Sequence, residues 1–515
     1  MAEKKGKTFA ALDVGSFEIC MKIYEITKNG GFKQIDHVRH RLALGTDSYV
    51  SGKISAGKME ELIRILQEFR AIMKEYRVEE YRAYGTSALR ETDNTELLLD
   101  QIKNRSGVAL TILSNSEQRF LDYKAIAAQG EQFDHVIGKE TAIVDIGGGS
   151  IQISLFDKDR LITTQSLKLG VLRLHERLNK MQPRSLQVEG LLDEMIGGQL
   201  HVFQKIYMKE RRVQHLILMD DYLSPKWKAA VPGVSSDRVV SAKRLLEFTE
   251  SLNGRGEEEL SDELEIPEEN VSLLKLSAGI LKRIILAWGA EEIWAPGATL
   301  CDGIAYEYAQ DKGLKIAARD FEKDIIASAG TISRRYLGSR KRSAAIEEIA
   351  LAVFDGLSST HGMGNRERLL LRLASILHDC GKFINMTNVG ECSHAIIMNT
   401  EIIGLSHRER EMVAYIVKFN HDEFEYYEEL GTHTEFEEKD YLVIAKLTAI
   451  LRIANALDKS QKQKVHSIEA CLKEDRLVVT VEAGADLLFE AERFTRHAAF
   501  FEEVYGIRPV IRKKG

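Results

Sequence analysis

The sequence predicts a duplicated, two-lobed α/β unit, followed by an all-helical segment and a small α+β end. Three observations carry this expectation. A strand–glycine–strand pattern occurs twice, as AALDV-GS-FEICMKI near residue 10 and as TAIVDI-GGGS-IQISLF near residue 141. Residues 318–458 are nearly all of helical period, and from about residue 466 strand patterns return. Boundaries near 135, 312 and 465 follow. They give lobes at 1–135 and 136–312, a helical domain at 313–465 and an α+β domain at 466–515.

The elements follow in order. TFAALDV (8–14) reads as a buried strand stopping at Gly15, and 18–26 as its partner. Met59, Leu62, Ile63, Ile65, Leu66 and Phe69 recur at helical spacing over 57–76. A short strand at 81–86 precedes the helical segment SALRETDN. ALTIL (109–113) reads as a strand and SEQRFLDYKAIAAQ (116–129) as a helix. After the second glycine pattern, EIWAPGATLCDGIAYEYA supplies a strand, a glycine turn and a helix. At the end, VHSIEACL and RLVVTVEA read as strands, LLFEAERFTRHAAFFEEVYG as a helix and RPVIR as a strand.

Composition narrows the class. With 515 residues, 44% hydrophobic and 29% charged, the chain reads as a multidomain globular protein. A formal net charge of −7 argues against nucleic-acid binding as its main task. No 18-residue apolar run predicts a membrane span, and MAEKKGKTFAALDVG has no long apolar region of signal-peptide type. Cys20, Cys301, Cys380, Cys392 and Cys471 are odd in number and form no C-x-x-C, so they read as free thiols in a cytoplasmic protein.

The chemistry is concentrated in the two glycine turns. A phosphate chain needs backbone N–H donors around a concavity, and glycine allows that close approach. Asp13-Val14-Gly15-Ser16 and Asp145-Ile146-Gly147-Gly148-Gly149-Ser150 both have this form. Each adds a carboxylate at a strand end, suited to a divalent cation that neutralises phosphoryl charge.

DVGS, YGTSALRE, SEQRF and VDIGGGS, in that order and spacing, resemble the exopolyphosphatase/guanosine pentaphosphate phosphatase family, whose fold is actin-like. The resemblance implies release of terminal phosphate from inorganic polyphosphate or guanosine pentaphosphate by a cytoplasmic homodimer. It implies Mg2+ or Mn2+ near Asp13 and Asp145, and phosphate ligands at Gly15, Ser16, Arg90, Gly147, Gly148, Gly149 and Ser150. The family's base is the first Glu of Ser-Gly-x-Glu-Glu, which falls on Glu117 in Ser114-Asn115-Ser116-Glu117-Gln118. The same spacing also fits a capping box, in which Glu117 serves its own helix. The alternative for Arg90 is a surface helix residue paired with a nearby acid.

Departures open an alternative. Phe17-Glu18 stand where the family has Asn-Ser, Ile151-Gln152 where it has Thr-Glu, and Gln118 where it has the second Glu. The family's Gly-Gly-Thr turn corresponds to HLILMDDYLSPKW, where Asp220 and Asp221 would repel a polyanion unless a cation intervened. A sensor that binds polyphosphate or a guanosine tetra- or pentaphosphate without turnover is therefore a second expectation. An ATP-dependent kinase or chaperone-like ATPase is a third, with no evident adenosine site.

LLLRLASILHDCGKFI (369–384) resembles the HD phosphohydrolase family through His378-Asp379 at a helix end. That resemblance implies further ligands near Arg342 and Asn455, neither of which suits a metal, so a degenerate site is expected. A residual metal on His378, Asp379, His394 and His421 is the alternative. Arg334, Arg335, Arg340, Lys341 and Arg342 read either as a solvated helix face or as a track for a polyphosphate chain.

Overall fold

The computed structural model describes residues 7–26, 32–182, 184–223, 231–314 and 319–514. It divides into two compact units, Met1–Asp320 and Phe321–Gly515.

In the first unit, β1 (Lys7–Val14), β2 (Glu18–Ile26) and β3 (Phe32–Arg41) form an antiparallel meander, with β4 (Glu80–Gly85) and β5 (Thr111–Ile112) added in parallel. The sheet order is β3-β2-β1-β4-β5. The second sheet repeats it. β8 (Arg160–Leu167), β7 (Ile151–Asp157), β6 (Thr141–Ile146), β9 (His215–Asp220) and β11 (Glu292–Trp294) lie in that order, with β10 (Val239–Ser241) at the far edge. The duplication read from two glycine patterns thus extends to whole sheets. The strand patterns read from the sequence omitted β3, β8, β9 and β10, which carry no glycine turn of that type.

Both faces of the first sheet are covered, so β1 is continuously apolar from Phe9 to Leu12 rather than alternating. Leu12 and Val14 face the helix Ala56–Glu75, packing on Leu62, Leu66 and Phe69. Phe9 and Ala11 face the opposite way, onto Leu121, Ile304 and Tyr308. Phe9 and Tyr308 stack at 4.0 Å between ring centroids. The helix Leu300–Asp311 therefore covers the first sheet, although its sequence position had assigned it to the second lobe. Gly303 makes this possible, because a Cβ there would lie 2.0 Å from the Leu121 carbonyl oxygen.

The second unit is helical to Leu457 and ends in β12 (Val465–Lys473), β13 (Arg476–Ala483) and β14 (Arg508–Lys513), with the helix Leu488–Tyr505 before the last strand. These strands are not a separate body as expected from the pattern change at 465. They belong to the same compact unit as the helices, and Gly356 sits so close to β12 that a Cβ would meet the Ala470 carbonyl oxygen at 2.4 Å.

Candidate functional site

The two glycine turns face each other. Gly15 N–H donates to Glu18 O at 2.9 Å, and Gly147 N–H to Ser150 O at 3.1 Å, closing each hairpin. A Cβ on Gly148 would lie 3.1 Å from Ser16 Cβ, so the turns are in contact. Their carbonyl groups are turned away from the space they enclose. Ser16 O accepts from Gly45 N–H, and Phe17 O from Leu42 and Ala43 N–H. Gly147 O and Gly148 O accept from Val171 and Arg173 N–H, and Gly149 O from Arg173 Nε at 3.0 Å. Oxygens held outward leave an edge suited to anions.

A cleft of about 380 Å³ lies between the turns, within the roughly 300–1,000 Å³ usual for small-molecule sites. Gly15, Ser16, Gly147, Gly148, Gly149, Ser150, Asp13 and Asp145 all line it. Ser16 Oγ, Ser87 Oγ and Tyr49 Oη form a closed triangle, each pair 2.7 Å apart. Gly149 is packed against this triangle, and a Cβ there would lie 2.2 Å from Tyr49 Oη.

Two expected site residues lie elsewhere. Glu117 caps its own helix, Asn115–Ala127: Ser114 N–H donates to Glu117 Oε2 at 2.9 Å, and Glu117 N–H to Ser114 Oγ at 3.3 Å. It does not line the cleft, whereas Gln118 and Asp122 of the same helix do. Arg90 donates to Leu113 O at 2.6 Å and to Asn115 Oδ1 at 2.5 Å, bracing the entry to that helix rather than lining the cleft.

The departures from the family pattern now have places. Phe17 is 5% exposed and belongs to the second lobe's core, against Tyr222 at 4.8 Å. Ile151 is in that core too, while Gln152 lines the cleft. Asp220 is a turn residue whose Oδ1 accepts the N–H groups of Tyr222 and Leu223 and whose Oδ2 accepts Ser277 Oγ. Asp221 lines the cleft. Residues 224–227, the SPKW end of that segment, lie outside the described residues.

Carboxylates dominate the electrostatics. Asp13, Glu18, Asp122, Asp145, Asp220 and Asp221 line the cleft against Lys22, Arg39 and Arg238. Lys22 is already bound to Asp302 at 2.8 Å, and Arg39 to Glu18. Asp13 Oδ1 and Asp122 Oδ2 are buried without a hydrogen-bond partner. Burial, with Asp145 and Asp13 nearby, pushes the Asp122 pKa well above the usual carboxylate range, and Arg119 opposes this. Burial, with Cys20 and Asp145, does the same to Asp13. Burial and Asp220 raise Asp145 to about 7. Such mutual repulsion favours a bound cation. Among the described residues, no group of three or more His, Cys, Asp or Glu side chains is arranged to hold a metal. The donor set instead fits Mg2+, which takes one or two protein carboxylates and completes its shell with water and phosphate.

Sequence reading missed several cleft groups. Glu18, Cys20 and Lys22 share one side of β2 by the two-residue alternation of a strand. Asp122 follows Gln118 by four residues, hence one helix face. Cys20 Sγ lies 3.1 Å from His37 Nε2 and 3.8 Å from Cys301 Sγ. The hydrogen bond from Cys301, with His37 and Lys22 adding to it against burial, lowers the Cys20 thiol to about 6.

In the second unit, a guanidinium occupies the position considered for a metal. Arg342, 3% exposed, contacts Asp379, donates to Asn455 Oδ1 at 2.7 Å and lies 3.7 Å from Asp458. Burial alone would raise the Asp379 pKa, but His378, Arg342 and Lys382 hold it well below the usual range. His421 Nε2 donates to His378 O at 2.7 Å, and His394 packs edge-on against Tyr415. His378 Nδ1 donates to Ser375 O at 2.8 Å and Asp379 Oδ2 pairs with Arg342 and Lys382, while His378 Nε2, Asp379 Oδ1 and His394 Nε2 are buried without a hydrogen-bond partner. Buried Arg342 is no part of a surface track.

Residues 23–306 match the Ppx/GppA phosphatase family, more than half of the chain. The chain belongs to this family. Residues 326–496 match domain III of Ppx/GppA phosphatases, which places the helical unit within the same architecture. A guanosine-5'-triphosphate,3'-diphosphate pyrophosphatase of Aeromonas hydrophila is 22% identical over 519 residues, covering 94% of this chain and 96% of that protein. Exopolyphosphatase 1 of Mycobacterium tuberculosis is 30% identical over 192 residues, 37% of this chain and 54% of that one. The Ppx/GppA family member of Aquifex aeolicus aligns with a TM-score of 0.50 at 18% identity, over 60% of this chain and 99% of that chain. An exopolyphosphatase from Cytophaga hutchinsonii gives 0.50 at 17% identity, over 61% and 100%. The two structures share the fold of the Ppx/GppA unit, the actin-like arrangement expected from the sequence.

Proposed function

We propose that this Ppx/GppA chain is a divalent-cation-dependent hydrolase that releases terminal phosphate from inorganic polyphosphate or guanosine pentaphosphate. The observation that carries this reading is the apposition of two glycine turns, with Asp13 and Asp145 at the strand ends and Asp122 lining the same cleft. Asp13 and Asp145 would hold Mg2+ or Mn2+, and the cation supplies positive charge to the phosphoryl group in transit. The N–H edges of the turns, with Ser16 and Ser87, orient phosphoryl oxygens. Asp122, whose Oδ2 is unpartnered, takes the proton of the attacking water in place of Glu117. Phosphate release from both substrates, with Mg2+ and with Mn2+, tests this. Asp122→Asn is expected to lower release at least 100-fold, on the order of a general base's contribution, while binding persists. Unchanged release would remove Asp122 from the role.

A second reading is favoured by Gln118, an amide lining the cleft on the helix face where a base would stand. In that reading the chain binds phosphate chains or guanosine tetra- and pentaphosphate without turnover. Binding with no release by the wild type would support it, and Gln118→Glu would then be expected to introduce release.

A further inference from the structure

Cys20 and Cys301 are separated by 281 positions yet meet in the folded chain. Cys20 sits on β2, 8% exposed, and its side chain lines the cleft. Cys301 lies in the first turn of the helix Leu300–Asp311, fully buried, with its thiol donating to Ala11 O at 3.4 Å. The sulfur atoms are 3.8 Å apart. A disulfide requires about 2.05 Å, so closure needs an approach of about 1.8 Å. His37 Nε2, 3.1 Å from Cys20 Sγ, provides a proton acceptor on the cleft side.

We propose that Cys20 and Cys301 are a redox couple that a hydroperoxide entering the cleft converts to a disulfide. In the first step the Cys20 sulfur attacks the terminal peroxide oxygen and the O–O bond breaks. The Cys20 proton passes through His37 to the departing alkoxide or hydroxide, leaving Cys20 as a sulfenic acid. In the second step the Cys301 sulfur attacks the Cys20 sulfur and the S–O bond breaks. The hydroxyl leaves as water with the Cys301 proton. Two thiols are oxidised, and the hydroperoxide is reduced to an alcohol, or to water when it is hydrogen peroxide. Cys20 is the entry point because it faces the cleft, and Cys301 resolves because it is buried behind it.

The bond would draw Cys20 from His37 and tie β2 to the first turn of the helix. Lys22, the next cleft-lining position on β2, and Asp302, the residue after Cys301, are already joined at 2.8 Å. The disulfide thus fixes one wall of the cleft covalently. The inference does not depend on whether the cleft hydrolyses its ligand.

The test uses the full chain carrying Cys392→Ser and Cys471→Ser, which removes the two thiols that are not buried. Treatment with hydrogen peroxide is expected to lower the titratable thiols from three to one, to yield a Cys20–Cys301 linked peptide and to reverse with dithiothreitol. Adding Cys301→Ser is expected to stop the reaction at a Cys20 sulfenic acid trapped by dimedone. Adding Cys20→Ser is expected to leave Cys301 reduced. An unchanged thermal midpoint in each variant establishes folding. Three thiols persisting after peroxide, a different linked pair, or no dimedone adduct in folded Cys301→Ser protein would each overturn the proposal.

Discussion

Glu117 and Ser114 cap one helix reciprocally: the Ser114 N–H donates to the Glu117 carboxylate at 2.9 Å while the Ser114 hydroxyl accepts the Glu117 N–H at 3.3 Å. Adjacent helix positions point about 100° apart, so the residue that caps is not the one that faces the cleft. Gln118 is.

This relationship separates a cap from a base. Glutamine serves a capping box as glutamate does. Glu117→Gln is expected to leave both the thermal midpoint and any phosphate release unchanged. Glu117→Ala is expected to cost about 1 kcal/mol in chemical denaturation. A large loss of release in Glu117→Gln would restore Glu117 as the base.

The raised Asp145 pKa predicts a pH dependence. A carboxyl held near pH 7 in the folded chain, against about 3.9 unfolded, binds its proton more tightly when folded. Its contribution to stability is present below about pH 4 and is lost as pH rises through 7. Cation-free protein is therefore expected to lose thermal stability between about pH 4 and 7. Asp145→Asn should flatten that slope, and Mg2+ should recover the loss in the wild type at pH 8 but not in the variant. Scanning calorimetry across this range checks both.

Phe17 is a packing residue at the rim of a polar cleft. Its ring lies in the second lobe's core although the residue belongs to the first hairpin. Phe17→Ala is expected to destabilise the first unit by about 3–5 kcal/mol, seen as an earlier first transition in urea. A change below 1 kcal/mol would show that the ring carries little of this packing.

Arg342 should behave as a fixed internal cation. Arg342→Ala leaves Asp379 and Asp458 without their shared guanidinium, and an expected loss of about 3 kcal/mol follows. Arg342→Lys should recover only part, since one ammonium cannot reproduce a planar fork reaching Asp379 and Asn455 together. Unfolding followed by far-UV circular dichroism, which reports this helical unit, distinguishes the variants.

Local pattern determined much of this protein. The hairpins were legible because buried strands ending at glycine turns have a short-range signature, and so were Asp13, Asp145 and the turn residues. The capping box was legible as Ser114-x-x-Glu117. The Arg342 and Asn455 replacements were legible too, as positions unsuited to a metal. What filled the gap was not, since the guanidinium of Arg342 joins its own helix to Asn455 on a second and to Asp379 in the turn after a third.

Only the tertiary structure decided which way the helix Asn115–Ala127 presents Gln118 and Asp122, and that the helix Leu300–Asp311 returns to the first sheet. It brought Cys301 to Cys20 and inserted Phe17 into the core of the other lobe. The physical reason is the same in each case. Periodicity fixes which residues share a face, but which surface that face meets depends on contacts hundreds of positions away, which no local pattern encodes.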